Sequence, residues 1–285
     1  MAEDRPRPGE LTLVPTPLGH LGDLTLRAVE TLRTSDLVVA EDTRRSVKLL
    51  NHLGLRVPLQ SYREQNHHRA WPRIAGVLAG GGRVALLTDA GAPGVSDPGA
   101  ALVTAARAAG YAIAPLPGPS AVITALMASG LPAGRFTFAG FLPARARERR
   151  EFIAALTSHP WTLVFFETPH RLAGALSDLA EILGPRPALL AREMTKVHEE
   201  YLAASLAELA VEVKTNPRKG EMTIVVEGGR AIAPGPLDLG YVRDLARRDP
   251  RSTRSLAASL AAETGRGRGE IYRLILAARA DNGGQ

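Results

Sequence analysis

Thr88-Asp89-Ala90-Gly91-Ala92-Pro93-Gly94-Val95-Ser96-Asp97-Pro98-Gly99 follows a strand-like run, Arg83 to Leu87, and precedes a helix-like run, Ala100 to Ala109. Nearly every residue in the stretch is small, acidic, Gly or Pro. Such a turn lays the backbone bare where a strand gives way to a helix. In an open α/β sheet that is where ligands are held.

The alternation extends in both directions. Upstream, Leu11 to Val14 reads as a short buried strand, broken by Pro15-Thr16-Pro17-Leu18-Gly19. A helix follows with Leu24, Leu26, Ala28, Val29 and Leu32 apolar and Asp23 near its start. Leu37 to Ala40 is a second strand ending in Glu41-Asp42-Thr43-Arg44, and a helix through Val47, Leu49 and Leu50 stops at Gly54. Tyr111 to Leu116 reads as a further strand. Strands alternating with helices imply a mainly parallel sheet.

Pro117-Gly118-Pro119-Ser120 cannot continue a strand, and Ser120 is placed to cap a helix over Ala121 to Ala128, so a hinge is expected here. A second α/β segment runs to about Gly229, with strands at Phe136 to Phe141, Thr162 to Phe166, Ala188 to Ala191 and Met222 to Val226. The expected organisation is an α/β domain over 11–117, a second over 118–230, and a small helical domain over 237–281. A Pro/Gly-rich link, Ala233-Pro234-Gly235-Pro236, leads into the last of these. There, Ser255 to Glu263, Thr264-Gly265 and Glu270 to Leu276 read as helix–turn–helix, with Ala257, Leu260 and Ala261 facing Ile271, Leu274 and Ile275.

Composition narrows the chemistry. The chain has 285 residues, no Cys and a formal charge of +6, with a mean hydropathy of −0.03 and a pI near 10.0. Lacking Cys, it has no disulfides, thiolate metal sites, iron–sulfur clusters or thiol nucleophiles. His67 and His68 are adjacent in a polar segment and are expected to face solvent; no metal site is expected. No apolar run is long enough for a bilayer and the start has no signal-peptide core, so a cytoplasmic location is the expectation. Basicity permits a polyanionic partner. Only four of the 35 basic residues are Lys, a bias toward Arg that weakens the charge argument.

The first loop, Pro15 to Asp23, has the position of a dinucleotide phosphate loop but not its G-x-G-x-x-G pattern. There is no Gly-Lys-Ser or Gly-Lys-Thr, and no Gly-x-Ser-x-Gly nucleophile elbow. Polar groups instead collect just past strand ends: Glu167, His170 and Arg171, then Arg192, Glu193, Lys196, His198, Glu199 and Glu200. A mixed cluster of acids, bases and imidazoles at neighbouring strand ends is costly unless it acts on something. Glu41, Asp42, Thr43 and Arg44, with Tyr62, Glu64 and Asn66, supply comparable groups from the first half. Arg145, Arg147, Arg149 and Arg150 crowd one stretch, suited to clamping phosphates.

The loops occur in a specific order: Pro15 to Asp23, Asp89 to Gly99, Pro117 to Ala121, Phe166 to Arg171, Arg192 to Glu200, and Lys219-Gly220-Glu221. This set resembles the tetrapyrrole methylase-like family of class III S-adenosylmethionine methyltransferases, over about Leu11 to Gly228. The resemblance implies two consecutive α/β domains with mainly parallel sheets, S-adenosylmethionine held between them, and a homodimer. It implies cofactor contacts at Leu18, Asp89, Ala90, Gly91, Ala92, Ser120, Ala121, Glu167, Met194 and Met222. Within the family it points to 2′-O-methylation of a cytidine ribose in small-subunit ribosomal RNA, free or in the assembled subunit. Glu167, His170, Lys196, His198 and Glu199 are the candidates for handling the hydroxyl proton, in no settled order. Arg44, Arg145, Arg147, Arg149, Arg150, Arg171 and Arg192 are the candidates for RNA phosphates. Gln65 stands where the family pattern has His, so no catalytic role carries over to it. A same-fold enzyme acting on a tetrapyrrole precursor or a protein side chain is the alternative, as is a non-catalytic RNA-binding scaffold. The basic stretch and terminal helices favour RNA.

Overall fold

The computed structural model describes residues 9–229, 238–264 and 266–280. The link 233–236, Gly265 and the first eight residues lie outside the described residues.

The first half forms β1 (Glu10–Val14), α1 (Leu26–Arg33), β2 (Leu37–Ala40), α2 (Thr43–His52), β3 (Leu59–Ser61), α3 (His67–Ala79), β4 (Arg83–Leu87), α4 (Ala100–Ala108) and β5 (Ala112–Pro115). Its five strands are all parallel, in the order β3-β2-β4-β1-β5. Successive strand residues point to opposite faces, and both faces are covered. Leu11, Leu37, Val39, Val84 and Leu86 pack with Ile74 and Leu78 of α3 and Leu102 and Ala106 of α4. Val14, Val38, Ala40, Ala85 and Leu87 pack with Ala28 and Leu32 of α1 and Leu50 of α2. Burying each of these aliphatic side chains stabilises the lobe by roughly 1.5–3 kcal/mol before entropy is counted. The helices that follow the adjacent strands β1 and β4 therefore lie on opposite faces, and the loops leading to them start side by side at the strands' carboxyl ends.

Two expectations fail here. α3 was not anticipated, and His67 does not simply face solvent: its ring is half-buried, hydrogen-bonded to Tyr62 Oη at 3.0 Å and stacked on Trp71. His68 is exposed.

The second half contains α5 (Ala121–Ser129), β6 (Phe136–Phe141), α6 (Ala146–Ala154), β7 (Thr162–Glu167), α7 (Pro169–Leu183), β8 (Pro187–Arg192), β9 (Glu200–Ser205), α8 (Leu206–Thr215) and β10 (Met222–Val226). Ser120 caps α5 as expected, its side chain accepting from Ile123 N. The sheet order is β6-β7-β10-β8-β9. The expectation of a mainly parallel second sheet is corrected: β6 and β7 are parallel, but β10 runs antiparallel to β7 and β8, and β9 antiparallel to β8. Only residues 193–199 join β8 to β9. A parallel return needs a crossover of roughly a dozen residues or more, so the chain turns back on itself.

A second compact unit comprises residues 155–160 and the described residues from Gly228 onward. Among those described residues lie three helices: α9 (Leu239–Arg248), α10 (Thr253–Thr264) and α11 (Arg268–Ala280). The sequence pointed to the last two; α9 is additional, capped by Asp238, which accepts from the N–H groups of Gly240 and Tyr241. Val242, Ala246, Leu256, Ala257, Leu260, Ile271, Ile275 and Ala278 form the core of the three.

Candidate active site

The loops after β1 and β4 are clasped together. Thr16 and Gly91 exchange both backbone hydrogen bonds at 2.9 Å. Thr16 Oγ1 donates to Thr88 O, and Thr88 Oγ1 donates to Gly91 O, both at 3.0 Å. Gly91 has φ 79°, so a residue with a side chain is strained there, although Leu18 Cδ2, 3.5 Å from where its Cβ would stand, leaves ordinary contact distance.

The two α/β halves meet beside this clasp. His20 N donates to Thr195 Oγ1 at 3.1 Å. Leu18, with Ala90 beside it, packs into a cluster built mostly from the second half, including Val122, Leu126, Val164, Leu189 and Met194. Glu193 (φ 49°) and Thr195 (φ 64°), in the turn after β8, hold left-handed conformations that L residues rarely adopt. Strain of this kind collects at functional sites.

Between the halves lies a cavity of about 400 Å³. All ten residues that the sequence assigned to a cofactor line it: Leu18, Asp89, Ala90, Gly91, Ala92, Ser120, Ala121, Glu167, Met194 and Met222. Phe141 and Phe166, with ring centroids 5.5 Å apart, add an aromatic wall. The titratable lining is Glu41, Asp89, Asp97, Glu167 and Glu221 against the single guanidinium of Arg45. Three of the acids are engaged. Glu167 is buried, accepts from Thr168 N at 2.8 Å and pairs with Arg171 at 3.1 Å. Asp89 accepts from Asp42 N and faces Arg45 at 3.6 Å. Glu221 meets Lys196 at 3.1 Å. Asp97 makes no hydrogen bond or ion pair with any described residue, and burial beside Glu41, Asp89 and Glu221 pushes its carboxyl up to about 6. Small side chains, bare backbone, an aromatic wall and excess carboxylate suit a nucleoside-like ligand that carries positive charge.

The other candidates stand elsewhere. Of the five proposed for the proton, Glu167 alone lines the cavity. Lys196 reaches its rim through Glu221 and Glu193, and those carboxylates hold its ammonium form. His170 and His198 are exposed and off the cavity. Glu199 is occupied by Thr195 N at 2.7 Å and Tyr201 Oη at 2.8 Å, which hold its carboxyl below the usual range.

None of the seven arginines assigned to phosphate lines the cavity. Arg149 is buried on α6 with Asp178, at 2.6 Å, so it is not the open clamp expected from the sequence. Arg150 pairs with Asp178 and Glu181, and Arg192 with Glu200. Arg171 is held by Glu167 and Leu142 O. Arg44, Arg145 and Arg147 project into solvent, each beside one carboxylate.

Asp97, Arg45 and Glu221 lie among the lining residues to which the sequence reading gave no role, and Glu41, named there only as a comparable polar group, joins them. Asp97 sits in the opening motif itself, but nothing in the motif distinguishes it from a turn-making Asp.

Comparison with known proteins agrees with this geometry. Residues 10–210 match the model of the Tetrapyrrole (Corrin/Porphyrin) Methylases. The chain is 46% identical to the ribosomal RNA small subunit methyltransferase I of Xylella fastidiosa (strain Temecula1), over 93% of this chain and 98% of the relative. It is 43% identical to the enzyme of that name from Escherichia coli O157:H7, over 90% of each. Among solved structures, uroporphyrin-III C-methyltransferase from Thermus thermophilus superposes with a TM-score of 0.56 at 25% identity, covering 77% of this chain and 94% of that one. The same enzyme is known in complex with S-adenosylhomocysteine (TM-score 0.54, 22% identity, 78% and 98% covered). Fold and cavity define a methyltransferase with two α/β halves. The chain belongs to the tetrapyrrole methylase family.

Proposed function

We propose that this protein transfers the methyl group of S-adenosylmethionine to the ribose 2′-oxygen of a cytidine in small-subunit ribosomal RNA, free or within the subunit. The observation that carries the reading is the cavity in which all ten cofactor candidates meet, in a chain resembling the named relatives over nine-tenths of its length.

The residues present fit the cofactor. A cavity of about 400 Å³ falls within the range of roughly 300–1,000 Å³ usual for such ligands. Its net carboxylate charge complements a cationic donor better than the neutral thioether left behind. When bound, the cofactor's sulfonium supplies an activated methyl group, so the protein's work is alignment and proton removal. Backbone groups of Asp89 to Ala92 and of Ser120 and Ala121 grip the donor, while Leu18, Met194 and Met222 exclude water from its apolar parts. Arg44, Arg145 and Arg147 are proposed to contact phosphates: their surface pairs are worth little in water and yield readily to a polyanion.

The acid-lined cavity also weighs against a tetrapyrrole acceptor, whose own carboxylates surround the reacting ring. A ribose hydroxyl can enter while its phosphates stay outside. The reading further includes a homodimer, a cytoplasmic location and the boundaries 11–117, 118–230 and 237–281; no helix among the described residues is long and apolar enough to cross a membrane. The test is incubation with small ribosomal subunits that lack the modification, followed by digestion and mass spectrometry of the nucleosides. 2′-O-Methylcytidine is the expected product; a methylated base, or none, refutes the assignment.

A further inference from the structure

We propose that Asp97 is the catalytic residue that takes the proton from the acceptor hydroxyl, an assignment that rests on the methyl-transfer reading above. It stands in the same loop as Asp89 to Ala92 and lines the same cavity. A proton acceptor must reach both the donor site and the incoming oxygen, and this position meets that geometric demand.

Occupancy of the competing groups points the same way. Glu167, Asp89 and Glu221 each hold a cation. Glu199 holds a backbone N–H and a phenol, and His170 and His198 lie off the cavity. A carboxylate already paired with a cation or accepting amide donors is a weaker base. Asp97 and Glu41 have no such partner among the described residues, and of the two only Asp97 stands in the loop that carries Asp89 to Ala92.

The backbone around it is built rather than slack. Ser96 holds φ 61° and Gly99 φ 151°. Leu86 Cδ2 lies 3.0 Å from the position of a Cβ on Gly99, and Gly99 N donates to Glu64 Oε1 at 2.9 Å. Ser96, next to Asp97, thus holds a left-handed conformation that costs an L residue free energy, while Gly99, two residues on, holds one that suits glycine.

The electrostatics make the group suitable. Asp97 faces Glu41 from the end of β2, Asp89 from its own loop and Glu221 from the start of β10, with Arg45 of α2 set against Asp89. Lys196 attends Glu221, and Arg171 attends Glu167. Burial and the three like charges push its carboxyl up to about 6. It is then ionised near neutral pH yet more basic than an ordinary carboxylate, which is the compromise that general-base catalysis favours.

The step balances. The hydroxyl oxygen forms a bond to the methyl carbon, and the carbon–sulfur bond breaks with its electron pair passing to sulfur. The hydroxyl proton moves to a carboxylate oxygen of Asp97 and is lost to water after release. No oxidant, reductant or further reactant is needed.

The experiment measures methyl transfer from labelled donor to unmodified small subunits between pH 5 and 9. The proteins are the wild type, Asp97→Asn, Asp97→Glu and Glu41→Gln, with S-adenosylhomocysteine affinity measured by calorimetry. Wild-type kcat/KM should fall on the acid side with a midpoint near the Asp97 value of about 6. Asp97→Asn should lose about 100-fold or more in kcat, the usual scale of general-base removal, while binding S-adenosylhomocysteine within about threefold of wild type. Asp97→Glu should recover part of the loss. Glu41→Gln should move the acid limb to lower pH, because a neighbouring negative charge is gone. Asp97→Asn keeping kcat within about fivefold, or losing cofactor affinity as steeply as turnover, overturns the assignment. So does the reverse pattern, with Glu41→Gln inert and Asp97→Asn active. A wild type that transfers nothing to subunits overturns the acceptor reading itself, and the assignment with it.

Discussion

Gly99 donates its backbone N–H to Oε1 of Glu64 at 2.9 Å, across a sequence separation of 35 residues. The bond ties the short 3-10 turn before α3 to the last residue of the cavity loop, so the outer strand layer of the first half steadies the acidic side of the site. A hydrogen bond to a charged group contributes about 1.5–3 kcal/mol net. Glu64→Ala should therefore loosen the loop, lowering kcat/KM for the acceptor by about tenfold or more and S-adenosylhomocysteine affinity much less. Glu64→Gln, which keeps an acceptor oxygen, should recover most of the rate. Equal kinetics in wild type and Glu64→Ala would show that the bond does not position the loop.

Arg149 and Asp178 form a pair with side chains only 10% and 12% exposed. Asp178 also meets Arg150, so removing Arg149 leaves it paired, whereas removing Asp178 leaves the buried Arg149 guanidinium uncompensated, which costs about 3–5 kcal/mol. Asp178→Ala should show that loss in chemical denaturation. Arg147→Ala, whose side chain is 90% exposed, should change stability by about 0.5 kcal/mol or less. Similar midpoints for the two variants would contradict the burial argument.

Asp97 also bears on stability. Its carboxyl is raised in the folded state to about 6 from an ordinary 3.8. Between those values the folded protein binds more protons than the unfolded chain, so this group's contribution falls as pH rises from about 4 to about 6. Asp97→Asn should therefore be more stable than wild type at pH 7.5, by about 1–2 kcal/mol after allowance for solvent screening. The gap should close near pH 4. Thermal melts at the two pH values check the sign, and a variant less stable at pH 7.5 contradicts it.

Arg145 and Arg147 are 83% and 90% exposed. If they touch phosphates, the double Ala variant should bind subunits or their RNA more weakly and flatten the salt dependence of log affinity, by about 0.7–0.9 per lost contact. Cofactor affinity should not move. An unchanged salt slope would take these two residues out of the interface.

β1, β2 and β4 of the first sheet were legible because each is a short, largely buried apolar run that ends in Pro, acidic or Gly-containing residues. β3, three residues of mixed polarity with Gln60 at its centre, carries no such signal. β9 was hidden for a different reason. Glu200 to Ser205 alternates between half-buried and exposed positions, but it follows directly on Glu193 to Glu199, and the polar run masked the strand. Missing β9 carried with it the expectation of a parallel second sheet. The cavity residues were readable because small and Gly-rich loops announce a backbone-lined site. Asp97 was not, since its chemistry comes from neighbours on β2 and before β10 that only the fold brings near. Arg149 shows the converse: four arginines within six residues look like one clamp, but the turn of α6 sends this one inward to Asp178.

The central claim is that S-adenosylmethionine lies in the cavity lined by Leu18, Ala92, Ala121 and Met194. Calorimetric titration of S-adenosylhomocysteine into wild type and Ala92→Trp tests it most directly, with circular dichroism confirming that both are folded. The account predicts saturable binding of one ligand per chain in wild type and its loss when the indole fills the cavity. No saturable heat in wild type, or undiminished binding in folded Ala92→Trp, would contradict it.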